Sequence, residues 1–207
     1  MTIHSVPTTA AADKRTAILD AATATFAKHG FFGSQVADVA RAAGIAAGTV
    51  YLYFRSKDEI LTSIFDRTMQ EAIREGRQAL ADVKDPVERL RRIARMHLAR
   101  LGRDRNLAIV FQVELRQTTK FMEQFSTSGL REYLAVIQET IEHGQARGVF
   151  RRSMNARTAS KVFFGALDEM ATNWILSRRR YALEAQADEV VDMLVGGFGT
   201  SARTGGR

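Results

Sequence analysis

Val36-Ala37-Asp38-Val39-Ala40-Arg41-Ala42-Ala43-Gly44-Ile45-Ala46-Ala47-Gly48-Thr49-Val50-Tyr51-Leu52-Tyr53-Phe54-Arg55-Ser56-Lys57-Asp58-Glu59-Ile60-Leu61 carries two short apolar periodicities on either side of a glycine. Val36, Val39, Ala40 and Ala43 share one face of a short helix, because residues three and four apart stack on a 3.6-residue repeat. Gly44 follows where a tight turn needs a positive φ, which glycine adopts without strain. Ile45 then plugs the core, and a second short helix is expected from about Ala47 to Phe54. In it Val50 and Phe54 point inward, which distributes Thr49, Tyr51, Leu52 and Tyr53 over the outer faces. Upstream, Asp13 is a suitable N-cap for a longer helix with the apolar stripe Ile18, Leu19, Ala22 and Phe26, ended by Gly30. A longer helix followed by two short ones around a glycine turn is a helix-turn-helix.

Downstream, Ser56-Lys57-Asp58-Glu59 reads as a capping box. The Ser56 hydroxyl accepts from the Glu59 N–H and the Glu59 carboxylate reaches back to the Ser56 N–H. The helix it opens carries Ile60, Ile64, Phe65, Thr68, Met69 and Ala72 to about Leu80. Asp85-Pro86 opens the next helix, to about Leu101, with proline at the first helical position. Asp104 caps another, which spans Leu107, Val110, Phe111, Glu114 and Leu115. A long helix is expected from Lys120 to Gln145, with Ser126-Thr127-Ser128-Gly129 as its weak point. After a loop over 148–155, Asn155 caps a helix from Ala156 to about Arg179, and the last helix runs from Leu183 to about Phe198. With two prolines, no strand-like alternation and no repeat, the chain is expected to be all-α with about nine helices.

The 207 residues suit a small domain on a larger one. The net charge of +7 suits a polyanionic partner, since basic residues displace counterions from phosphates. The absence of cysteine excludes disulfides, thiolate nucleophiles and thiolate metal sites, and fits a cytoplasmic location. No stretch approaches the ~20 apolar residues of a membrane helix, so no membrane partner is expected. Residues 1–12 carry no basic residue and no apolar run, unlike a secretion signal, and read as a disordered lead-in, while the Gly/Ser/Thr-rich tail over 200–207 is expected to fray. There is no G-x-S-x-G, P-loop or dinucleotide glycine pattern, and His4, His29, His97 and His143 lack metal-ligand spacing. No catalytic residue, metal site or cofactor is therefore expected, and the chain is not read as an enzyme.

The D-V-A core of the second helix, the A-G-I turn, the G-T-V-Y helix and the run Tyr53-Phe54-Arg55-Ser56-Lys57-Asp58-Glu59-Ile60 closely resemble the DNA-binding signature of the TetR repressor family. The resemblance implies a DNA-binding domain over residues 13–60 and a helical ligand-binding and dimerisation domain over 61–200. It also implies a homodimer on palindromic double-stranded operator DNA, released when a small molecule binds. Matched by position, Ala47, Gly48, Thr49, Tyr51, Leu52 and Tyr53 would meet the major groove, and Lys57 a phosphate beside the positive end of its helix. One departure stands out: the second helix of the family opens on Ser or Thr, where this chain has Gln35 beside Ser34. Either Gln35 reads an adenine edge or a phosphate, or Ser34 caps the helix one residue early. The module is nearly neutral, so local placement rather than bulk charge must supply its phosphate contacts.

Seven arginines lie between Asp85 and Arg105, a stripe that is either a solvated face or a seat for an anionic ligand. The segments Asn106–Gln117 and Phe163–Glu169, with Gln35 and the Tyr51–Phe54 run, are similar to the acyl-CoA-responsive TetR branch that represses fatty-acid degradation. That similarity implies a hydrophobic effector, a long-chain acyl-CoA. Its tail would lie in a tunnel lined by groups such as Phe65, Leu98, Ile109, Val110, Val113, Phe163, Leu167, Met170 and Trp174. Its phosphates would meet arginines at the tunnel mouth, among them Arg91, Arg92, Arg95 and Arg105. For any one apolar residue, ordinary core is the plainer reading. Glu114, Asp168 and Glu169, set in apolar helical sequence, would be buried anchors or interface pairs. The dimer face is placed on the last two helices, with Gly165 permitting close approach and Val191, Leu194, Val195 and Phe198 supplying burial. Three rival readings remain: a TetR-type repressor of an efflux pump, which would not need the arginine stripe; an architectural DNA-binding protein without effector, which would show no pocket; and a helical acyl-CoA-binding protein without DNA affinity.

Overall fold

A computed structural model describes residues 9–117, 120, 121, 123, 129–179 and 181–198. All its regular elements are helical. They are α1 (Thr9–His29), α2 (Val36–Ala42), α3 (Ala47–Tyr51), α4 (Lys57–Leu80), α5 (Pro86–Arg103), α6 (Arg105–Gln112), α7 (Gly129–Ala146), α8 (Ala156–Leu176) and α9 (Ala187–Phe198). Short 3₁₀ turns cover Glu114–Gln117 and Leu183–Gln186.

Several ends follow the expected chemistry. Asp85 accepts from the N–H groups of Val87 and Glu88, Asp104 from Leu107, and Asn155 from Thr158. Each satisfies donors that a helix start leaves orphaned. Gly30 and Gly44 take φ of 75° and 69°, the left-handed conformation that closes α1 and turns α2 into α3.

Other ends differ. α1 begins at Thr9, so Asp13 is not its cap. The run Ala10-Ala11-Ala12 has the highest helix propensity available and extends the helix past it. α3 stops at Tyr51; Phe54 still reaches the core because its N–H bonds to the Val50 carbonyl. Ser56 caps α4 as expected, but the Glu59 carboxylate takes the Arg55 N–H at 2.6 Å rather than that of Ser56. α8 ends at Leu176, short of Arg179, because the Ser177 hydroxyl accepts the Arg179 N–H and holds the chain in a turn. The last helix starts at Ala187, after a 3₁₀ turn over the residues expected to open it. Of the expected helix over 120–145, Gly129 to the end is seen as α7; Ser126, Thr127 and Ser128 lie outside the described residues.

α5 is the hub of the larger part, packing against α4, α6, α7, α8 and α9. α1 joins the two parts, because it touches α2 and α4 on one side and α6 on another. The core runs continuously from Ile18, Phe26 and Val50 at one end to Phe150 and Phe163 at the other. Among the described residues no helix is long and apolar enough to cross a membrane.

Candidate nucleic-acid interface and ligand cavity

Burial sorts the α2–α3 unit into an inner and an outer face. Val39, Ala40, Val50 and Phe54 are buried, whereas Tyr51 is 56% and Leu52 82% exposed. A tyrosine ring and a leucine left in water by a packed helix pair form a surface shaped for another molecule. Gly48 leaves its side of α3 open, since a Cβ there would meet nothing within 4 Å. Thr49 and Ala47 are half-buried. Tyr53 differs from the expectation of an outer position: it is half-buried and packs against the core.

Gln35 is the N-cap residue of α2, and its exposed side chain faces outward while its backbone N–H donates to Asp38 Oδ2 at 2.9 Å. That hydrogen bond, chiefly, holds the Asp38 carboxyl below its usual range, and Arg41 assists. Ser34 does not cap the helix, because its hydroxyl donates to the Gly30 carbonyl at 2.6 Å. Lys57 has close partners within its own chain. Its Nζ donates to the carbonyls of Phe31 and Ser34, at 2.6 and 2.7 Å, and lies 4.4 Å from the centre of the Phe31 ring. The carbonyls at the α1–α2 corner need donors, and this ammonium is the one that reaches them. Lys57 thus clamps that corner to the start of α4.

The same corner is held from the other side by Glu114, 5% exposed, whose Oε2 accepts the Phe31 N–H at 2.6 Å and the Gln117 amide at 2.7 Å. Phe31 is therefore fixed through its N–H by the segment after α6, and through its carbonyl by α4. Glu114 had been expected only as a buried anchor or interface group; its partner could not be named, since it lies 83 residues away.

Between α4, α5, α6, α7 and α8 lies a cavity of about 680 Å³, within the usual range for small-molecule sites. Met69, Ala72, Ile73, Ile93, Val136 and Ile137 form its apolar wall. Arg100, Arg103 and Arg116 bring positive charge to it, against Glu75, Asp104 and Asp168. Arg100 is paired to Glu71 and Glu75, and Arg116 binds both oxygens of Asp168 at 2.7 Å. Arg103 has no partner among the described residues. Asp168 also accepts from Gln112 Nε2 at 3.0 Å, and the Thr172 hydroxyl donates to Gln112 Oε1.

Of the residues expected around a ligand, only Arg95 lines this cavity. Phe65, Leu98, Val110, Phe163 and Leu167 are buried in the core; Ile109, Met170 and Trp174 pack half-buried against it; Val113 is 40% exposed. The four arginines expected at the phosphates, Arg91, Arg92, Arg95 and Arg105, have partners in the scaffold. Arg91 pairs with Asp192 and Arg95 with Asp188, both on α9, and Arg92 donates to the Ala79 carbonyl at the end of α4. Arg105 caps α8 through the carbonyls of Trp174 and Ile175, with its guanidinium over the Trp174 ring. Orphan carbonyls at helix ends and facing carboxylates claim these cations. From α5, Ile93, Met96, His97 and Arg100 face the cavity at the three- and four-residue spacing of one helix face, with Arg95, Ala99, Leu101 and Arg103 at its margins. That spacing was legible, but nothing in it says which face meets empty space.

His97 hydrogen-bonds through Nδ1 to the Tyr133 hydroxyl at 3.0 Å, and both line the cavity. Burial pushes the His97 pKa down to about 4, with Asp168 opposing and Arg100 assisting, and pushes the Tyr133 phenol up.

On the expected dimer face, Val191 belongs to the core of its own chain and is unavailable to a partner. It faces inward because α9 turns Val190 and Val191 onto α5. Gly165 is exposed, Leu194 and Val195 are half-buried, and the Phe198 side chain lies outside the described residues. Val162, Leu176 and Met193, not singled out from the sequence, are large apolar groups exposed on α8 and α9.

Residues 18–64 match the family model described as bacterial regulatory proteins, tetR family, and residues 65–197 match the YsiA-like protein, C-terminal region. The chain is similar to the fatty acid metabolism regulator protein of Bacillus subtilis, 34% identical over 87% of this chain and 93% of that one. Among solved structures it is similar to the fatty acid degradation regulator FadR from Bacillus halodurans, with a TM-score of 0.86 and 36% identity over 89% of this chain and 95% of that one. It is also similar to FadR from Bacillus subtilis in complex with stearoyl-CoA, with a TM-score of 0.84 and 33% identity over 88% of this chain and 98% of that one. A helix-turn-helix with an outward Tyr51, joined through Phe31 to a helical body with a ligand-sized cavity, and both family models in register over it, make this chain a member of the TetR family of bacterial transcriptional regulators.

Proposed function

We propose that this protein represses genes of fatty-acid metabolism in the cytoplasm, as a homodimer on a palindromic operator, and that a long-chain acyl-CoA releases it. The observation that carries the reading is the 680 Å³ cavity, apolar on one side and arginine-bearing on the other, one segment away from the α1–α2 corner. Similarity to a regulator whose structure holds stearoyl-CoA supports the choice of ligand.

The apolar wall would take the acyl chain, at ~0.8 kcal/mol for each buried methylene before ordering costs. Arg103, having no partner among the described residues, is the cation best placed to meet the anionic head. On the DNA side, Gln35, Gly48, Thr49, Tyr51 and Leu52 offer the contacting surface, with Ala47 and Tyr53 behind it. Half-sites would then repeat ~34–36 Å apart or at a multiple of that spacing. The exposed groups Val162, Gly165, Leu176 and Met193 would form the dimer seam on α8 and α9.

Coupling would run through the segment after α6. Phe111, Gln112 and Arg116 line the cavity, and Glu114 between them holds the Phe31 N–H. A ligand that displaces this segment would pull on the corner that sets the angle of α2 and α3. Shifting such an equilibrium from 1:99 to 99:1 takes about 5.5 kcal/mol of differential affinity, which a fraction of the tail's burial supplies.

The test is a fluorescence-anisotropy titration of the protein on DNA from its own promoter, at fixed salt, with and without stearoyl-CoA. Release by stearoyl-CoA but not by stearate or free CoA is the expected result. Tight binding indifferent to stearoyl-CoA would refute the effector assignment, and no operator binding would refute the repressor reading.

A further inference from the structure

The cavity wall holds one polar pair that tail burial and head-group binding leave unused. His97 on α5 and Tyr133 on α7 bond to each other, and Nε2 of His97 is closed to solvent and without a hydrogen-bond partner among the described residues. Both groups are neutral at ordinary pH, so together they own two hydrogen-bonding protons, one imidazole N–H and one phenol O–H. Their mutual bond uses one. If the hydroxyl donates to Nδ1, the Nε2–H is left over; if Nδ1–H donates to the hydroxyl oxygen, the phenol O–H is left over. Nε2 is shut off from the cavity as well, so only the second tautomer leaves a donor, the Tyr133 hydroxyl, to the cavity wall, and a buried donor without an acceptor is destabilising until something supplies one.

Position along α5 identifies the acceptor. Ile93 precedes His97 by one helical turn, and Arg100 and Arg103 follow it by three and six residues. His97 Nδ1 holds that hydroxyl at 3.0 Å, so at ~1.5 Å rise per residue the donor sits near a level ~6 Å from that of Ile93 and ~9 Å from that of Arg103. Ile73, Val136 and Ile137 join Ile93 in the apolar wall. Alkyl wall, single donor and cation therefore succeed one another in the direction of the α5 axis. A long-chain acyl thioester presents the matching order of alkyl chain, carbonyl oxygen and, further out, anionic head.

We propose that the His97–Tyr133 pair donates a hydrogen bond to the carbonyl oxygen of the bound ligand's thioester, so that the site selects an acyl thioester over an alkyl chain of equal length. This rests on the acyl-CoA reading of the cavity.

The test uses the full chain with stearoyl-CoA and with S-octadecyl-CoA, the thioether in which a methylene replaces the carbonyl. By titration calorimetry the wild type is expected to bind the thioester about tenfold more tightly, the worth of one net hydrogen bond. The double variant His97→Phe, Tyr133→Phe is expected to bind the two alike. Infrared spectra of stearoyl-CoA carrying ¹³C at the thioester carbonyl need no variant: on the wild-type protein the stretch should lie below its position in an apolar solvent. Equal binding of both ligands by the wild type, an unshifted stretch, or a preference that survives the double substitution overturns the inference and leaves the acyl-CoA reading standing. Failure of the wild type to bind either ligand overturns both.

Discussion

Replacing Glu114 by alanine tests the connection between the two halves of the molecule. The carboxylate takes the Phe31 N–H at 2.6 Å in a site where Glu114 is 5% exposed. A hydrogen bond to a charged acceptor contributes ~1.5–3 kcal/mol, and its loss leaves a buried N–H unmatched. Against this, removing the carboxylate also removes the cost of keeping it out of water. The net loss is then about 2 kcal/mol, or a Tm lower by about 4–8 °C for a chain of this size. Glu114→Gln keeps an oxygen at the same place and forfeits only the charge assistance, so its loss should be about 1 kcal/mol or less. Stability by urea denaturation and operator release by anisotropy are measured on the same preparations. Because the contact is proposed to carry the signal, Glu114→Ala should also shrink the release by stearoyl-CoA from the ~5–150-fold range of ordinary allosteric coupling toward unity. If Glu114→Ala melts with the wild type, the bond does not hold the corner. If it releases DNA as the wild type does, the signal takes another route.

Tyr51→Ala should abolish operator binding without lowering Tm, because a ring 56% exposed contributes little to its own fold; unchanged DNA affinity in the anisotropy assay would remove Tyr51 from the interface. Gly44→Ala places a side chain at φ 69° and should cost about 1–2 kcal/mol by urea denaturation, with wild-type stability as the contrary result. Arg103→Ala should weaken stearoyl-CoA binding at unchanged Tm. Neutralising Arg91, Arg92 and Arg95 together should lower Tm and spare ligand affinity, because Asp192, the Ala79 carbonyl and Asp188 already occupy them; calorimetry with the opposite pattern would move the head-group site from Arg103 to these three. His97 has a pKa of about 4 in the fold, against 6.5 when unfolded, and faces Tyr133 of α7, Asp168 of α8 and Arg100 of its own helix. The unfolded chain therefore binds a proton that the folded chain refuses between those values. This contribution is present in full above pH 6.5 and is lost as pH falls toward 4, by up to about 3 kcal/mol. The wild type should lose more stability between pH 7 and pH 5 than His97→Phe, and parallel losses would sink the assignment.

The α2–α3 unit was legible because its determinants are local. The αL demand at Gly44, the Val50/Phe54 spacing and the Ser56 cap act within one or two helical turns, and neighbours in sequence set them. The caps at Asp85, Asp104 and Asn155 were legible for the same reason. Helix ends misread from the sequence, such as Asp13 and Arg179, are places where two local tendencies compete and alanine propensity or a serine hydroxyl wins. The number of helices and their all-α packing likewise follow from apolar periodicity.

The cavity obeys a different rule. An apolar residue on a helix face looks the same whether it meets another side chain or a void, so Leu98, Phe163 and Leu167 read as tunnel and proved to be core, while Ile73, Val136 and Ile137 passed unremarked. An arginine reads as free until its partner is known, and the partners here are distant: Asp192 lies 101 residues from Arg91, and Asp188 lies 93 from Arg95. Lys57 shows the same effect at shorter range, since the motif names it for a phosphate and says nothing of the corner's carbonyls, 23 and 26 residues away, that it also binds. Local sequence set the helices, the caps at Ser56, Asp85, Asp104 and Asn155 and the outward Tyr51 and Leu52 of α3, because those energies are settled between near neighbours. Which charges remained free, which apolar faces lined empty space, and that Glu114 would hold Phe31 were decided only when α5, α6 and α9 closed on one another, because burial and pairing are properties of the assembled chain.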